Sequence, residues 1–509
     1  MDRAFLVTTL ARRGLLRPGP PLRVLRQFGE LRRWGFGLAG ELRQAAARDP
    51  ERVAVIDESG STTYGQLLDR SQRLSQVLDV AVGDRVGLLC RNSAAMIESL
   101  VAVTMAGADP VLLNTGLAGP QLAAVARDQG LRLVVHSPEF DPAGVTGIDE
   151  QRLADLIAAT PAGPPPAPPS RPGRTIVLTS GTTGVPKGAR RPTPGGFGPL
   201  ASIIDRIPLR AGARMMIAAP LFHTWGLAGL QIALALRATV VLRRRFEPAA
   251  TLETMIEQHC TALIAVPVML QNLMELPAGA VPGLSVVAVS GSALPGGLAT
   301  RFMDRYGDVL YNLYGSTEAS WASIATPADL RAAPGTAGRP PHGTRVAVLD
   351  PDGRVLPPES PGRLFVGNEM LFEGYTNGAG KEVHDGLLAT GDVGHVDPSG
   401  RVFVDGREDD MIVSGGENVF PSEVENLLAD LPQVREVAVI GVPDSGYGQR
   451  LAAYLVLHPG TALDGDEVRD HVRRFRARFC VPRDVVFLDA LPRNATGKIL
   501  TRDLPRNDG

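Results

Sequence analysis

From about Glu51 onward the apolar positions recur with two alternating periods. Short continuous apolar runs predict strands over 53–56, 85–90, 110–113 and 131–135. Longer stretches with helical spacing predict helices over 64–78 and 93–106. The same rhythm resumes with strands over 214–219, 239–242, 262–266 and 286–289. Strands buried on both faces and separated by helices imply α/β layers around mostly parallel sheets.

The texture changes twice more. Residues 161–172 are too rich in proline for regular structure and read as a loop. Residues 335–405 hold short β runs (345–349, 363–366, 402–404) between Gly, Pro and Asp turns, which predicts a small β-rich subdomain. The last hundred residues have their own pattern, with segments 422–431, 436–441, 452–457 and 466–479, and are long enough to form a domain. The expected organisation is an extension over 1–48, a large multi-subdomain α/β domain over 49–408 with two layered α/β parts and the β-rich part, and a smaller α+β domain over 409–509.

Charge and cysteine content narrow the classes. A formal net charge of -2 gives no footprint for nucleic acid. Cys90, Cys260 and Cys480 are far apart and share no metal-ligand spacing, which suits a reduced, cytoplasmic setting. No apolar run of about eighteen residues is present to span a membrane. Residues 1–48 carry Arg3, Arg12, Arg13, Arg17, Arg23, Arg26, Arg32 and Arg33 among apolar residues. That pattern suits either a basic surface resting peripherally on anionic lipid or a helical extension packed on the main domain. A homodimer is compatible with the sequence.

Only three lysines occur, Lys187, Lys381 and Lys498, although arginine is abundant. Arginine therefore supplies the general surface charge. The remaining lysines are expected where a compact ammonium is required.

Lys187 closes the most chemically suggestive segment. An apolar run over 174–179 leads into Thr179, Ser180, Gly181, Thr182, Thr183, Gly184, Val185, Pro186, Lys187 and Gly188. Glycines let backbone amides turn toward a ligand, hydroxyls add donors, and the lysine adds charge, so the segment suits a polyphosphate. It is not a Walker loop, which needs Gly before the lysine and Ser or Thr after it.

Segment 179–188 resembles the phosphate-binding motif of the adenylate-forming superfamily of acyl-CoA synthetases, aryl-CoA ligases, luciferases and adenylation domains. Further motifs of that family follow in order: 220–226, 290–294, 313–318, 390–392, 406–412 with 414–419, and 492–498. The resemblance runs from about Pro50 to the C-terminus. It implies ATP, Mg2+ and coenzyme A as reactants, a carboxylic acid as substrate, and a C-terminal domain that is mobile.

The resemblance also implies roles. Thr179 to Gly184 and Lys187, with Gly291, Ser292, Ala293, Gly315, Ser316 and Thr317, would hold ATP or AMP. Tyr314 would offer its aromatic face to adenine, and Asp392 and Arg407 would hold the ribose. Glu318 would be the magnesium carboxylate. Lys498 would reach the reacting carboxylate and α-phosphate, with Lys187 and His223 as the other catalytic candidates. Asp409 matches the hinge, and Ser414, Gly415 and Gly416 the approach of the pantetheine arm.

The acyl pocket is expected from His223, Trp225, Gly226, Gly229, Val266 and Gly291, which are mostly small or apolar and favour a fatty or other apolar acid. Relatives that activate amino acids carry an Asp where this chain has His223. An α-amino acid substrate is therefore not expected. Segment 415–419 is similar to that of acyl- and aryl-CoA ligases; loading of a carrier-protein pantetheine is the alternative. The chain departs from the family pattern at Arg363, where many relatives have Glu, and over 385–389.

Overall fold

The alternating periods resolve into two parallel-centred sheets that share one apolar core. The computed structural model describes residues 2–179, 186–277, 279–414, 417–444, 448–494 and 497–505. In the six-stranded sheet the order is Gly147–Asp149, Leu131–His136, Arg85–Leu89, Asp109–Leu112, Ile176–Thr179 and Lys187–Arg190. All neighbours are parallel except the last pair. The eight-stranded sheet runs Ser323–Ala325, Leu310–Tyr314, Val286–Val289, Ala262–Ala265, Arg214–Ile217, Thr239–Val241, Val53–Asp57 and Gly60–Thr63, with antiparallel strands only at its two edges.

The helices between them start where the sequence supplies caps. Thr63 and Gln66 form a reciprocal capping box at helix Tyr64–Val77, and Ser93 accepts from the Met96 amide at helix Ala94–Met105. Helix Leu38–Arg48 is buried almost throughout and packs against helices of both sheets. Its Leu42 and Ala45 are fully enclosed in the common core. Residues 38–48, grouped with the extension on sequence grounds, are thus part of the core of the large domain. Within them Arg43 and Arg48 are buried by pairing: Arg43 bonds Glu30 at 2.5 Å and stacks on Trp34, and Arg48 donates to the Arg17 carbonyl.

Helix Pro21–Trp34 lies outside this core helix and docks on it through Gln27, which donates to Gln44 at 2.7 Å. Its outward side leaves Leu22 70%, Leu25 69% and Phe28 50% exposed among the exposed Arg23, Arg26, Arg32 and Arg33. No helix among the described residues is long and apolar enough to cross a membrane.

The β-rich region forms a five-stranded antiparallel sheet from Arg345–Leu349, Gly362–Gly367, Val383–His384, Leu387–Val396 and Val402–Arg407. Arg363, the departure from the family pattern, is held by Glu382 at 2.6 Å and Glu408 at 3.2 Å. A second five-stranded sheet, with helices Pro421–Ala429 and Gly465–Phe475, builds the C-terminal region around its own apolar clusters. Between the two sheets lies one 3-10 turn, Glu408–Asp410. The C-terminal region touches the large domain through Arg435, 2.6 Å from Glu275, and through Gly497, whose turn packs on Val268. Gly497 has φ +79° and a Cβ there would lie 2.3 Å from the Val268 side chain, so only glycine fits.

One buried acid ties the β-rich region to the α/β layers. Asp329 is 2% exposed and is met by Arg206 at 2.8 Å, Arg339 at 2.5 Å and Arg401 at 3.5 Å. Burial alone would raise its pKa; the Thr326 hydrogen bonds and the arginine charges hold it below the usual carboxylate value. Replacing it removes the carboxylate partner of Arg206 and Arg339, while Arg401 keeps Asp397 at 3.1 Å. Asp329→Ala should therefore lower stability by about 3 kcal/mol at pH 7 in denaturant unfolding. Because the folded pKa is depressed, the wild-type advantage should be present above the unfolded carboxylate pKa and vanish as pH falls through the folded one. An advantage unchanged down to pH 2 would contradict this account.

Candidate active site

The C-terminal ends of the parallel strands, the β-rich sheet and the tail of the chain converge on one cleft of about 1320 Å3. This is where an open α/β sheet binds ligands. The first wall is a hairpin: strand Ile176–Thr179 pairs with Lys187–Arg190, with Thr179 opposite Lys187. Both residues line the cleft. The candidates Ser180, Gly181, Thr182, Thr183 and Gly184 lie outside the described residues. The Lys187 ammonium stands 5.8 Å from the centre of the Tyr375 ring.

All three lysines line this cleft. Lys187 comes from the hairpin, Lys381 from the β-rich region, where its ammonium donates to the Thr390 carbonyl at 2.7 Å, and Lys498 from the C-terminal region. Asp410 also lines the cleft and takes a stabilising charge interaction from Lys498, although burial raises its pKa overall.

The floor is the segment after strand Leu310–Tyr314. Gly315, Ser316, Thr317 and Glu318 line it. Thr317 Oγ1 pairs with Thr224 Oγ1 at 2.8 Å, joining this segment to the start of helix Thr224–Ala235. Arg191, half-buried in the same wall, donates to the Thr317 carbonyl and, at 2.7 Å, to Ser320 Oγ. Burial lowers the Arg191 pKa to about 10 while neighbouring Glu318 opposes the shift, so it stays charged at neutral pH. Glu318 itself accepts from the Tyr375 hydroxyl at 2.7 Å. Among the described residues no group of three or more His, Cys, Asp or Glu side chains gathers to hold a metal. A cation here would have to share Glu318 with oxygens brought by a ligand, an arrangement that suits magnesium on a phosphate chain.

Asp392 and Arg407 do come together. Asp392 accepts from Arg407 at 3.1 Å on one oxygen and from the Tyr314 hydroxyl at 2.5 Å on the other. Burial, then the Asp392 charge, pushes the Tyr314 phenol well above its ordinary pKa, so it remains a donor. Each carboxylate oxygen retains acceptor capacity for a second donor. Tyr314 turns its hydroxyl to this pair, and the cleft wall beside it is Leu313 and Gly315. Asp409, on the 3-10 turn, is exposed and bonds Arg407 at 3.2 Å. Ser414 is buried in the C-terminal sheet, opposite Glu417 and Gly448, and does not line the cleft. Gly415 and Gly416 lie outside the described residues.

Of the acyl-pocket candidates, His223, Trp225, Gly226, Val266 and Gly291 line the cleft. Gly229 does not: it faces Ile264, 3.1 Å from where a Cβ would be, and lets the helix approach the sheet. Ser292 and Ala293 are exposed on the turn after strand Val286–Val289 and are absent from the cleft wall. His223 Nε2 is buried with no hydrogen-bond partner among the described residues. Burial lowers its pKa to about 4, so the ring is neutral. Trp225 is fixed by a bond from its indole to the Ala265 carbonyl.

Sequence reasoning missed Arg191, Tyr375 and Thr224, together with Glu41 and Gln231 at the inner end of the cleft. Lys381 carried a signal, its rarity, but stood in none of the motifs. The arrangement can hold a polyphosphate against cations on two walls and bring a second anion to the same point from the apolar side.

Comparison with known proteins agrees with this geometry. The model of the AMP-binding enzyme family matches residues 42–376, and that of the AMP-binding enzyme C-terminal domain matches 423–498. A feruloyl-CoA synthase from Amycolatopsis is 33% identical over 91% of this chain and 97% of its own length. An indoleacetate–CoA ligase from Aromatoleum aromaticum is 33% identical over 90% and 96%. The solved o-succinylbenzoate CoA synthetase of Bacillus subtilis, in complex with its acyl-adenylate, superposes with a TM-score of 0.82 at 29% identity, covering 92% of this chain and 98% of that one.

If Asp392 receives ribose hydroxyls, Asp392→Ala should weaken AMP binding by roughly 10–100-fold in isothermal titration calorimetry. Unchanged affinity would remove it from the nucleotide site.

Proposed function

The chain belongs to the AMP-binding enzyme family, and from that premise we propose that it is an AMP-forming ligase joining a largely apolar carboxylic acid to coenzyme A. The observation that carries the reading is the convergence of Lys187, from the large domain, and Lys498, from the C-terminal region, on one cleft with Glu318.

The acid carboxylate attacks the α-phosphorus of ATP; pyrophosphate leaves and acyl-AMP forms. Coenzyme A thiol then attacks the acyl carbonyl and AMP leaves. Both reactants of the first step are anions. Lys187 counters the departing phosphates, and Lys498 counters the charge that develops where carboxylate and phosphate meet. Thr317 is held in place by Thr224 and Arg191 and presents its hydroxyl to the same point. Asp392 and Arg407 grip the ribose. Magnesium, held by Glu318 and phosphate oxygens, would supply further charge neutralisation. His223 is neutral and positions the carboxyl end of the acid without adding charge.

For the second step the C-terminal region turns about Asp409, withdrawing Lys498 and bringing Ser414 and its glycines to the thiol. The contacts that hold it here, among them Arg435 with Glu275, are exposed enough to exchange. Free coenzyme A is the acceptor on this reading; turnover only with a carrier protein would replace it by the carrier-loading alternative.

The acid is a fatty acid on the sequence reading, and the apolar walls of the cleft support it. An aryl acid is the second reading, favoured by the feruloyl- and indoleacetate-specific names of two relatives. The outward side of helix Pro21–Trp34, with three exposed apolar residues among four arginines, is a surface for anionic lipid, which would deliver such acids.

Two outcomes are expected. Lys498→Ala should slow pyrophosphate release by about 100–1000-fold while leaving thioester formation from supplied acyl-AMP within about tenfold; equal loss of both would contradict its role. Wild type should co-sediment with phosphatidylserine-containing liposomes, and a Leu22→Ser, Leu25→Ser, Phe28→Ser variant should not. Equal sedimentation of the two would exclude this face as the lipid contact.

A further inference from the structure

The inner end of the cleft is polar, which an apolar substrate alone does not explain. Thr224, Ala228, Gln231 and Ala235 share one face of helix Thr224–Ala235 and line the cleft along its length. Thr224 and Ala235, at the two ends of that helix, stand about 16 Å apart along its axis. Leu200 and Ile203, on helix Gly198–Arg206, form the facing apolar wall. Glu41, from the core helix Leu38–Arg48, lines the cleft near the far end of this helix, where its partner Gln44 bonds the Leu234 and Ala235 carbonyls; Gln231 lines the same cleft.

Glu41 is 4% exposed. Its Oε2 accepts from Gln44 Nε2 at 3.2 Å; among the described residues nothing donates to its other oxygen. Gln44 cannot be spared to do so, because its amide also bonds the Leu234 and Ala235 carbonyls and receives Gln27. The Gln231 amide nitrogen is taken by the Phe36 carbonyl at 3.3 Å, leaving its oxygen as the group available on that side. Burial, only partly offset by Gln44, raises the Glu41 pKa to about 8, so near neutral pH the group is an uncharged acid able to donate as well as accept. A leucine here would complete an apolar pocket at no desolvation cost. A carboxyl with one oxygen open to the cleft becomes costly when a bound chain excludes water without meeting it.

We infer that Glu41 is a specificity-determining residue, and that the acid this enzyme activates carries a neutral hydrogen-bonding group, a hydroxyl, at the end remote from its carboxylate. The inference rests on the acid-activating reading above and narrows its substrate class to ω-hydroxylated fatty acids or hydroxylated aryl acids of matching length. A parent acid without the hydroxyl would displace water from Glu41 and Gln231 and leave them unmatched, which penalises it more strongly than an apolar pocket would penalise an added hydroxyl.

The test uses matched pairs, alkanoic acids with their ω-hydroxy counterparts over a range of lengths and arylalkanoic acids with their ring-hydroxylated counterparts, read by pyrophosphate release. At the best length the hydroxylated member should exceed its parent in kcat/KM by roughly 10–100-fold. Glu41→Gln should keep that preference and Glu41→Leu should reverse it, with KM for ATP unchanged in both. A wild type that prefers the parent at every length, or a Glu41→Leu enzyme with an unaltered ratio, overturns the inference. If no acid in either series releases pyrophosphate, the ligase reading itself fails. Thermal shift with the same pairs then still decides the cavity: greater stabilisation by the hydroxylated member supports the polar end, and greater stabilisation by the parent overturns it.

Discussion

Two anions must meet in this cleft, and that constraint organises the rest of the molecule. A carboxylate and a polyphosphate repel each other, and a low-dielectric site would magnify the repulsion unless cations were already in place. The chain meets this with its scarcest charged residue. Its many arginines are spread over the whole chain, with Arg91, Arg191, Arg407, Arg493 and Arg502 also at the cleft, whereas all three lysines, Lys187, Lys381 and Lys498, line it. A compact ammonium on a flexible stem can follow a moving phosphate; a planar fork locked to a carboxylate cannot.

The arginines also fix the walls of the site. Arg191 fixes the carbonyl of Thr317, Arg407 orients Asp392, and Arg206, Arg339 and Arg401 converge on Asp329 to fasten the β-rich sheet that carries Asp392. The side chains proposed to meet ligand are thereby fixed by a surrounding network of ion pairs and hydrogen bonds. The C-terminal region contributes its lysine through a turn that only Gly497 can make against Val268.

The acid side is shaped by a different part of the chain. Helix Leu38–Arg48 is inserted between the layers and lines the cleft with Glu41. The segment before it, helix Pro21–Trp34, docks on this core helix through Gln27 and Arg43 and turns an apolar and basic side outward. The region that lies outside the shared motifs thus contributes both a wall of the cleft and an exposed surface.

Much of this was legible without coordinates. Apolar periodicity located nine strands of the two parallel-centred sheets to within a residue or two, because burial on two faces leaves a local pattern, and it separated the β-rich region by its turns; it did not locate Gly60–Thr63, Gly147–Asp149, Leu310–Tyr314 or Ser323–Ala325. The ordered motifs named the cleft, and the rarity of lysine pointed to Lys381 before any motif did. The return strand Lys187–Arg190 and the edge strand Asp484–Phe487 were not legible, since short edge strands carry little pattern. Nor could sequence tell that Gly229 faces the sheet, that Arg43 and Arg48 are buried in pairs, or that Glu41 meets a helix end some 190 residues away through Gln44. Periodicity and side-chain chemistry are properties of neighbours along the chain, and they determined the layers and a phosphate cradle, while the reaction came from the resemblance carried by the ordered motifs. Which polar groups share a cavity depends on packing between distant segments, and only the tertiary structure decided that.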